Sequence, residues 1–219
     1  MSQKRVGLAR TQALMESLKR ELAMGGTIFS NAERQGPESE EGGPGAQSGS
    51  VGPPMTRTIK LNDQIITTIT LDLQNLSGSG EYGFVIGNED GGIDNSDPAF
   101  LLEYNTDTHG ILYQTEMSCI ETPAGNDLDA FDLIACTEGT FTQGDDARGA
   151  GGAVVVNTAS VDAVTYAVGD TVIDQAVGSP ANGQFLYLTA GVPGTAGPKA
   201  NYTAGKLVIR LYGHADFGD

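Results

Sequence analysis

No tryptophan occurs anywhere in the chain, cysteine occurs twice, and Lys and Arg together number 12 against 28 Asp and Glu, for a formal net charge of −16. Each shortage excludes something. Without Trp, and with aromatic residues at 6%, few side chains are available to stack on sugar rings. Cys119 and Cys136 are too few for a metal knuckle and lack CxxC spacing, so buried reduced thiols are expected rather than a disulfide. An acidic body repels phosphates and has few cations with which to release counterions, which argues against a nucleic-acid partner. Long apolar runs are missing too. The start MSQKRVGLARTQ lacks the apolar segment of a secretory signal and no later run is long enough to span a bilayer. The expectation is no membrane, synthesis in a cytoplasm, and any external role reached by assembly.

What basic charge there is sits at the head. Lys4, Arg5, Arg10, Lys19 and Arg20 fall within the first 20 residues, whereas Arg148 is the single Lys or Arg between residues 61 and 198. Leu8, Met15 and Leu22 recur at seven, with Thr11 and Leu18 between them, an a/d stripe of period near 3.5. Glu16 and Arg20 add an i,i+4 pair, and Gly25-Gly26 supplies a stop. The pattern predicts an amphipathic helix over residues 1–24. Three short heptads are marginal alone, so the stripe needs its own β domain, a partner surface or a copy of itself.

Residues 25–56 include RQGPESEEGGPGAQSGSVGPPM, a Gly, Pro, Ser and Glu mixture with little to bury, expected to be a flexible linker arm. From Arg57 the period becomes two. In QIITTITLDL, Ile65, Thr67, Ile69, Leu71 and Leu73 share one face and Thr68, Thr70 and Asp72 the other. Strand-length runs follow in YGFVIG, AFLLEY, GILYQTEMSCI, LDAFDLIAC, GAVVVN, QFLYLT and KLVIRLY, each bounded by Gly, Pro, Asn or Asp. Nothing between them has the length of a crossover helix. Residues 57–219 are therefore expected to form a mainly β domain, an antiparallel β-sandwich of about eight strands, jelly roll or related Greek key.

Chemistry-bearing motifs are weak. GSGEYG at 78–83 matches GxGxxG, but a strand rather than a helix follows, so a hairpin turn is expected. The loop NEDGGIDNSDP carries Asp90, Asp94, Asn95 and Asp97, yet it misses the calcium-loop spacing and has no glutamate at the twelfth position. Turn solvation accounts for these residues, as it does for Asp127, Asp129 and Asp132 and for Asp145-Asp146. His109 and His214 are far apart in sequence, and neither GxSxG nor HExxH occurs. The sequons at 75–77 and 201–203 mean little without a secretory signal. No catalytic, cofactor or metal residue is nominated, and a non-enzymatic protein is expected.

Two stretches carry a resemblance. KRVGLARTQALMESLKREL near the start, and FLYLTAG followed by NYTAGKLVIRLYG near the end, resemble the ends of small virion structural proteins in tailed phages of marine cyanobacteria and related bacteria. The middle of the chain has no such counterpart. The resemblance implies a β-rich particle component without enzymatic activity. With the residue reading it leads to the expectation of a capsid decoration or cement protein, attached to the major capsid protein or another virion protein through Arg5, Leu8, Arg10, Thr11, Met15, Leu18 and Leu22. A homo-oligomer is expected, with a trimer suited to the three-fold sites of a capsid. The competing expectations are a tail or fibre component binding a host glycan and, from another class, a jelly-roll carbohydrate-active enzyme needing two carboxylates about 5 to 10 Å apart.

Overall fold

The computed structural model describes residues 42, 46, 54–61, 63–78, 83–88, 97–125, 130–157, 166–174, 179–191 and 200–215. The expected head helix over 1–24 lies outside the described residues. Within them the protein is mainly β, and every strand pairing is antiparallel.

The strands are β1 (Met55–Leu61), β2 (Gln64–Asp72), β3 (Leu76–Gly78), β4 (Gly87–Asn88), β5 (Leu102–Tyr104), β6 (Ile111–Ala124), β7 (Phe131–Cys136), β8 (Ala153–Asn157), β9 (Thr171–Asp174), β10 (Gln184–Ala190), β11 (Ala200–Asn201) and β12 (Ala204–His214). They form a five-stranded sheet in the order β1-β2-β12-β6-β9, a four-stranded sheet β5-β10-β7-β8 and a three-stranded sheet β11-β3-β4. A single turn of helix, α1 (Thr106–His109), links β5 to β6. Asn105 caps it, its side chain accepting from the Asp107 and Thr108 amides.

Alternation explains the five-stranded sheet. Ile65, Thr67, Ile69 and Leu71 of β2 are buried, as are Leu207, Ile209 and Leu211 of β12 and Leu112, Thr115, Met117 and Cys119 of β6. Of these, Ile69, Leu71, Leu207, Ile209, Leu211, Leu112, Met117 and Cys119 share one core cluster with Leu102 and Tyr104 of β5, Phe131, Leu133 and Ala135 of β7, Val155 of β8, and Leu186 and Leu188 of β10. Burying each large aliphatic side chain there contributes about 1.5 to 3 kcal/mol. Thr115 Oγ1 also donates to the Val155 carbonyl oxygen at 3.1 Å, a direct polar link between β6 and β8.

The four-stranded sheet is covered twice. All six residues of β7 are buried, which is why LDAFDLIAC shows no polar alternation. Phe131, Leu133 and Ala135 enter the main core. Ile134, Cys136 and Tyr187 face the other way into a second cluster, with Val85, Ala99 and Ala147 and the partly buried Phe100 and Phe141. Segments between strands form that cover, so the run YGFVIG gives only two isolated bridges, Phe84 to Asp146 and Val85 to Thr189, before β4. β3 and β4 pair antiparallel; residues 79–82, where a hairpin turn is expected, lie outside the described residues.

Several residues of the 25–56 segment depart from the expectation of chain with little to bury: Gly42, Ala46, Pro54 and Thr56 are buried, and β1 already begins at Met55. Ala46 is 1% exposed and belongs to the main core. Gly42 is buried as well, so close to the backbone that a Cβ there would lie 2.9 Å from the carbonyl oxygens of Phe100 and Leu101. Small residues in a Gly-rich run suit such close approach, which composition alone does not distinguish from flexibility.

Candidate functional site on the outer face of the five-stranded sheet

Loops cover the four-stranded sheet, but the outer face of the five-stranded sheet carries side chains half-buried or exposed in ordered rows. Strand register sets the rows: Arg57, Thr68, Arg210, Glu116 and Ile173 lie across the sheet in one, Met55, Thr70, Val208, Ser118 and Thr171 in the next. At one end Asp72, Lys206 and Glu121 form a third. There the Lys206 ammonium donates to the Glu121 carboxylate and stands 3.5 Å from that of Asp72. The hydrogen bond to Glu121, then the charge of Asp72, hold its pKa above the usual lysine value. Such exposed pairs are screened by solvent and contribute little stability.

Glu116 is the best connected of these groups. Its Oε1 accepts from Ser118 Oγ at 3.0 Å and from the Arg210 guanidinium, and its Oε2 accepts from Tyr212 OH at 2.9 Å. Desolvation pushes its pKa up, but the Tyr212 and Ser118 hydrogen bonds and the Arg210 charge outweigh that and leave it below the usual carboxylate range. A group held as an anion is the opposite of what a general acid in sugar hydrolysis needs.

Two of the three register shifts between β6 and β12 are bulges that shape this face. Gln114 pairs with Tyr212 but Leu112 with Gly213, so Tyr113 is an extra residue; Glu121 pairs with Lys206 but Cys119 with Leu207, so Ile120 is another. Both extra side chains emerge exposed. Tyr113 leans toward Tyr212, ring centroids 6.5 Å apart, and its hydroxyl accepts from Gln64 Nε2 at 2.6 Å. The signal was present in ILYQTEMSCIET, where the inward residues Leu112 and Thr115 are three apart instead of two, a phase break that a strict period-two reading passes over.

The histidines distant in sequence come together at one end of this sheet. Gly110, at a left-handed φ of 78°, and Gly213 let the backbones touch: a Cβ on Gly213 would be 2.3 Å from the His109 carbonyl oxygen. The His109 ring is fully buried beside Tyr104, its Nδ1 accepting from the Asn105 amide at 2.9 Å, whereas His214 is exposed. The arrangement holds α1 in place. Asp132, expected with Asp127 and Asp129 as a solvated turn residue, is instead fully buried within β7 because both faces of that strand are covered; the Arg148 guanidinium stands 3.7 Å from its carboxylate.

Arg5, Leu8, Arg10, Thr11, Met15, Leu18 and Leu22, nominated for partner binding, all lie outside the described residues, as do Asp90, Asp94, Asn95, Asp127 and Asp129. Asp145 and Asp146 hold their own turn, Asp145 Oδ2 accepting from Thr142 and Asp146 Oδ1 from the Gly149 amide. Cys119 and Cys136 are buried free thiols; burial raises the pKa of both, that of Cys136 to about 11. Among the described residues, no group of three or more His, Cys, Asp or Glu could hold a metal ion, and no helix is long and apolar enough to cross a membrane.

The class these observations define, among the described residues, is a mainly β, antiparallel protein with a patterned outer sheet face. No known protein family, curated protein or solved structure matches the chain.

Proposed function

We propose that this chain is a non-enzymatic virion structural protein, a capsid decoration or cement protein whose β body is a jelly-roll sandwich displayed as a homo-oligomer. The basic amphipathic head and its arm attach it to the major capsid protein or another virion protein. The observation that carries this reading is the strand order. Taken along the chain, β2, β6, β9 and β12 belong to the five-stranded sheet, while β5, β7, β8 and β10 belong to the four-stranded one. With β1 set aside, the orders β2-β12-β6-β9 and β5-β10-β7-β8 are those of an eight-stranded double Greek key, an architecture used in viral capsid and lectin domains. The two C-terminal stretches that resemble phage virion proteins supply β10 and β12, central strands of the two sheets. Fold alone does not assign function; the basic head on an acidic body supports attachment through a second element, since net charge of one sign disfavours general adhesion between bodies.

A tail or fibre component that binds a host glycan is the second reading, and Tyr113 beside Tyr212 with Gln64 favours it, because such a pair offers a sugar both an aromatic face and hydrogen-bonding groups. Quantitative mass spectrometry of purified particles separates the two. Hundreds of copies per particle are expected. A handful would move the protein to the tail, and none would overturn the virion assignment.

A further inference from the structure

We infer that the outer face of the five-stranded sheet is a self-association surface, covered by a neighbouring copy of this chain. Among the described residues, the exposed large hydrophobics are Met55, Leu61, Tyr113, Ile120, Val168 and Ile173, between 42% and 73% accessible. Met55 and Leu61 belong to β1, Tyr113 and Ile120 to β6 and Ile173 to β9. Val168 lies in the turn whose amide groups hydrogen-bond back to β6, its own N–H donating to Thr122 Oγ1 at 3.0 Å. None is on the four-stranded sheet. Among the described residues, apolar exposure is thus gathered on this sheet and the turn beside it, where alternation adds the half-buried Ile59, Ile66, Val208 and Tyr212.

Charge selects the occupant. Alternation places Arg57, Lys206 and Arg210 on this face against Asp72, Glu116 and Glu121, three of each sign, while the whole chain carries −16. Lys206 and Arg210 are already paired with their carboxylates within the face. A basic partner would be drawn to the acidic remainder of the surface, and an acidic one repelled by it. A second copy can approach only where neither body presents net charge, and a neutral, internally paired face meets that condition. Size agrees as well. Five strands about 4.8 Å apart, with a nine-residue β2 rising about 3.3 Å per residue, span ~700 Å², near the ~800 Å² per partner of a standard-size interface. These two bulges gain a purpose here: each adds one large side chain to the face, at Tyr113 by shifting the phase of the inward residues from Leu112 to Thr115.

Sedimentation equilibrium of the full chain tests this. The wild type is expected to associate at micromolar concentration. Ile120→Asp with Ile173→Asp should weaken association at least about 100-fold, two exposed apolar contacts being replaced by charges. Val208→Lys, elsewhere on the face, should act in the same direction, and all three substitutions should keep the wild-type melt. A wild type that stays monomeric at about 100 μM, or a folded Ile120→Asp/Ile173→Asp variant of undiminished mass, overturns the inference; the latter would put the contact on the head segment. Neither result bears on whether particles contain the protein, which the copy number decides separately.

Discussion

Arg148 and Glu116 illustrate how single residues acquire meaning from position. Arg148 stands alone in a 138-residue stretch otherwise without Lys or Arg, residues 61–198, and its partner is an aspartate with no solvent exposure, Asp132. Isolation in the sequence was the visible signal; the partner, on a strand that reads as apolar, was not. Glu116 leads to a pH prediction. Although burial acts to raise it, hydrogen bonds from Tyr212 and Ser118 and the Arg210 charge depress its pKa below the usual carboxylate range. A depressed carboxylate contributes stability that is present above its unfolded pKa and lost as pH falls through the folded value. Glu116→Gln should therefore be less stable than wild type at pH 7 by about 1 kcal/mol, and the two should converge in acid below the folded pKa. Urea midpoints measured across that range check it, and a constant gap at every pH would show that the carboxylate charge contributes nothing.

At the scale of elements, the strongest strands were legible and the marginal ones were not. β2, β6, β7, β8, β10 and β12 coincide with runs read from alternation or apolar length, because their side chains meet a core on at least one face. β3, β9 and β11, two to four residues each, carry too few side chains for a period to register. α1 hides in NTDTH, four residues stabilised by an Asn cap and the packing of His109 rather than by helical periodicity. The arm shows the same limit. Since Ala46 occupies the main core and Pro54 is buried, a fragment beginning at Gly42 should keep the melting temperature of the full chain. One beginning at Arg57, which also loses Met55 and Thr56 of β1, should melt lower by about 4 °C or more, the equivalent of losing roughly 1 to 2 kcal/mol in a domain of this size. Circular dichroism melts of both fragments decide this, and equal midpoints would mean that the Ala46 contact adds no stability.

For the whole molecule, the question is how an acidic body finds its place. The proposed attachment uses the apolar stripe of the head more than its charge. Met15 and Leu18, if fully buried, would each contribute on the order of 1.5 to 3 kcal/mol, whereas exposed contacts from Arg5 or Arg10 contribute mostly below about 1 kcal/mol and weaken with salt. Met15→Asp with Leu18→Asp should abolish cosedimentation with particles, while Arg5→Ala with Arg10→Ala should reduce it modestly and mainly at low ionic strength. Both should leave the melt of the β body unchanged. Wild-type binding by the double Asp variant would remove the head as anchor and leave attachment to the β body.

The class of the fold was in the sequence itself: period-two alternation, β-branched runs and frequent turn residues determine antiparallel strands because each depends on neighbours a few residues apart. Net charge and the concentration of basic residues at the head are likewise sequence properties. Tertiary structure alone decided which strands share a sheet, that Ala46 enters the core, that His109 and His214 lie at one sheet end, and that Tyr113 and Ile120 bulge onto an open face. Those outcomes depend on register between strands tens of residues apart, such as β6 against β12, where a single extra residue redirects a side chain and leaves in the sequence only a one-residue phase break that a strict period-two reading passes over.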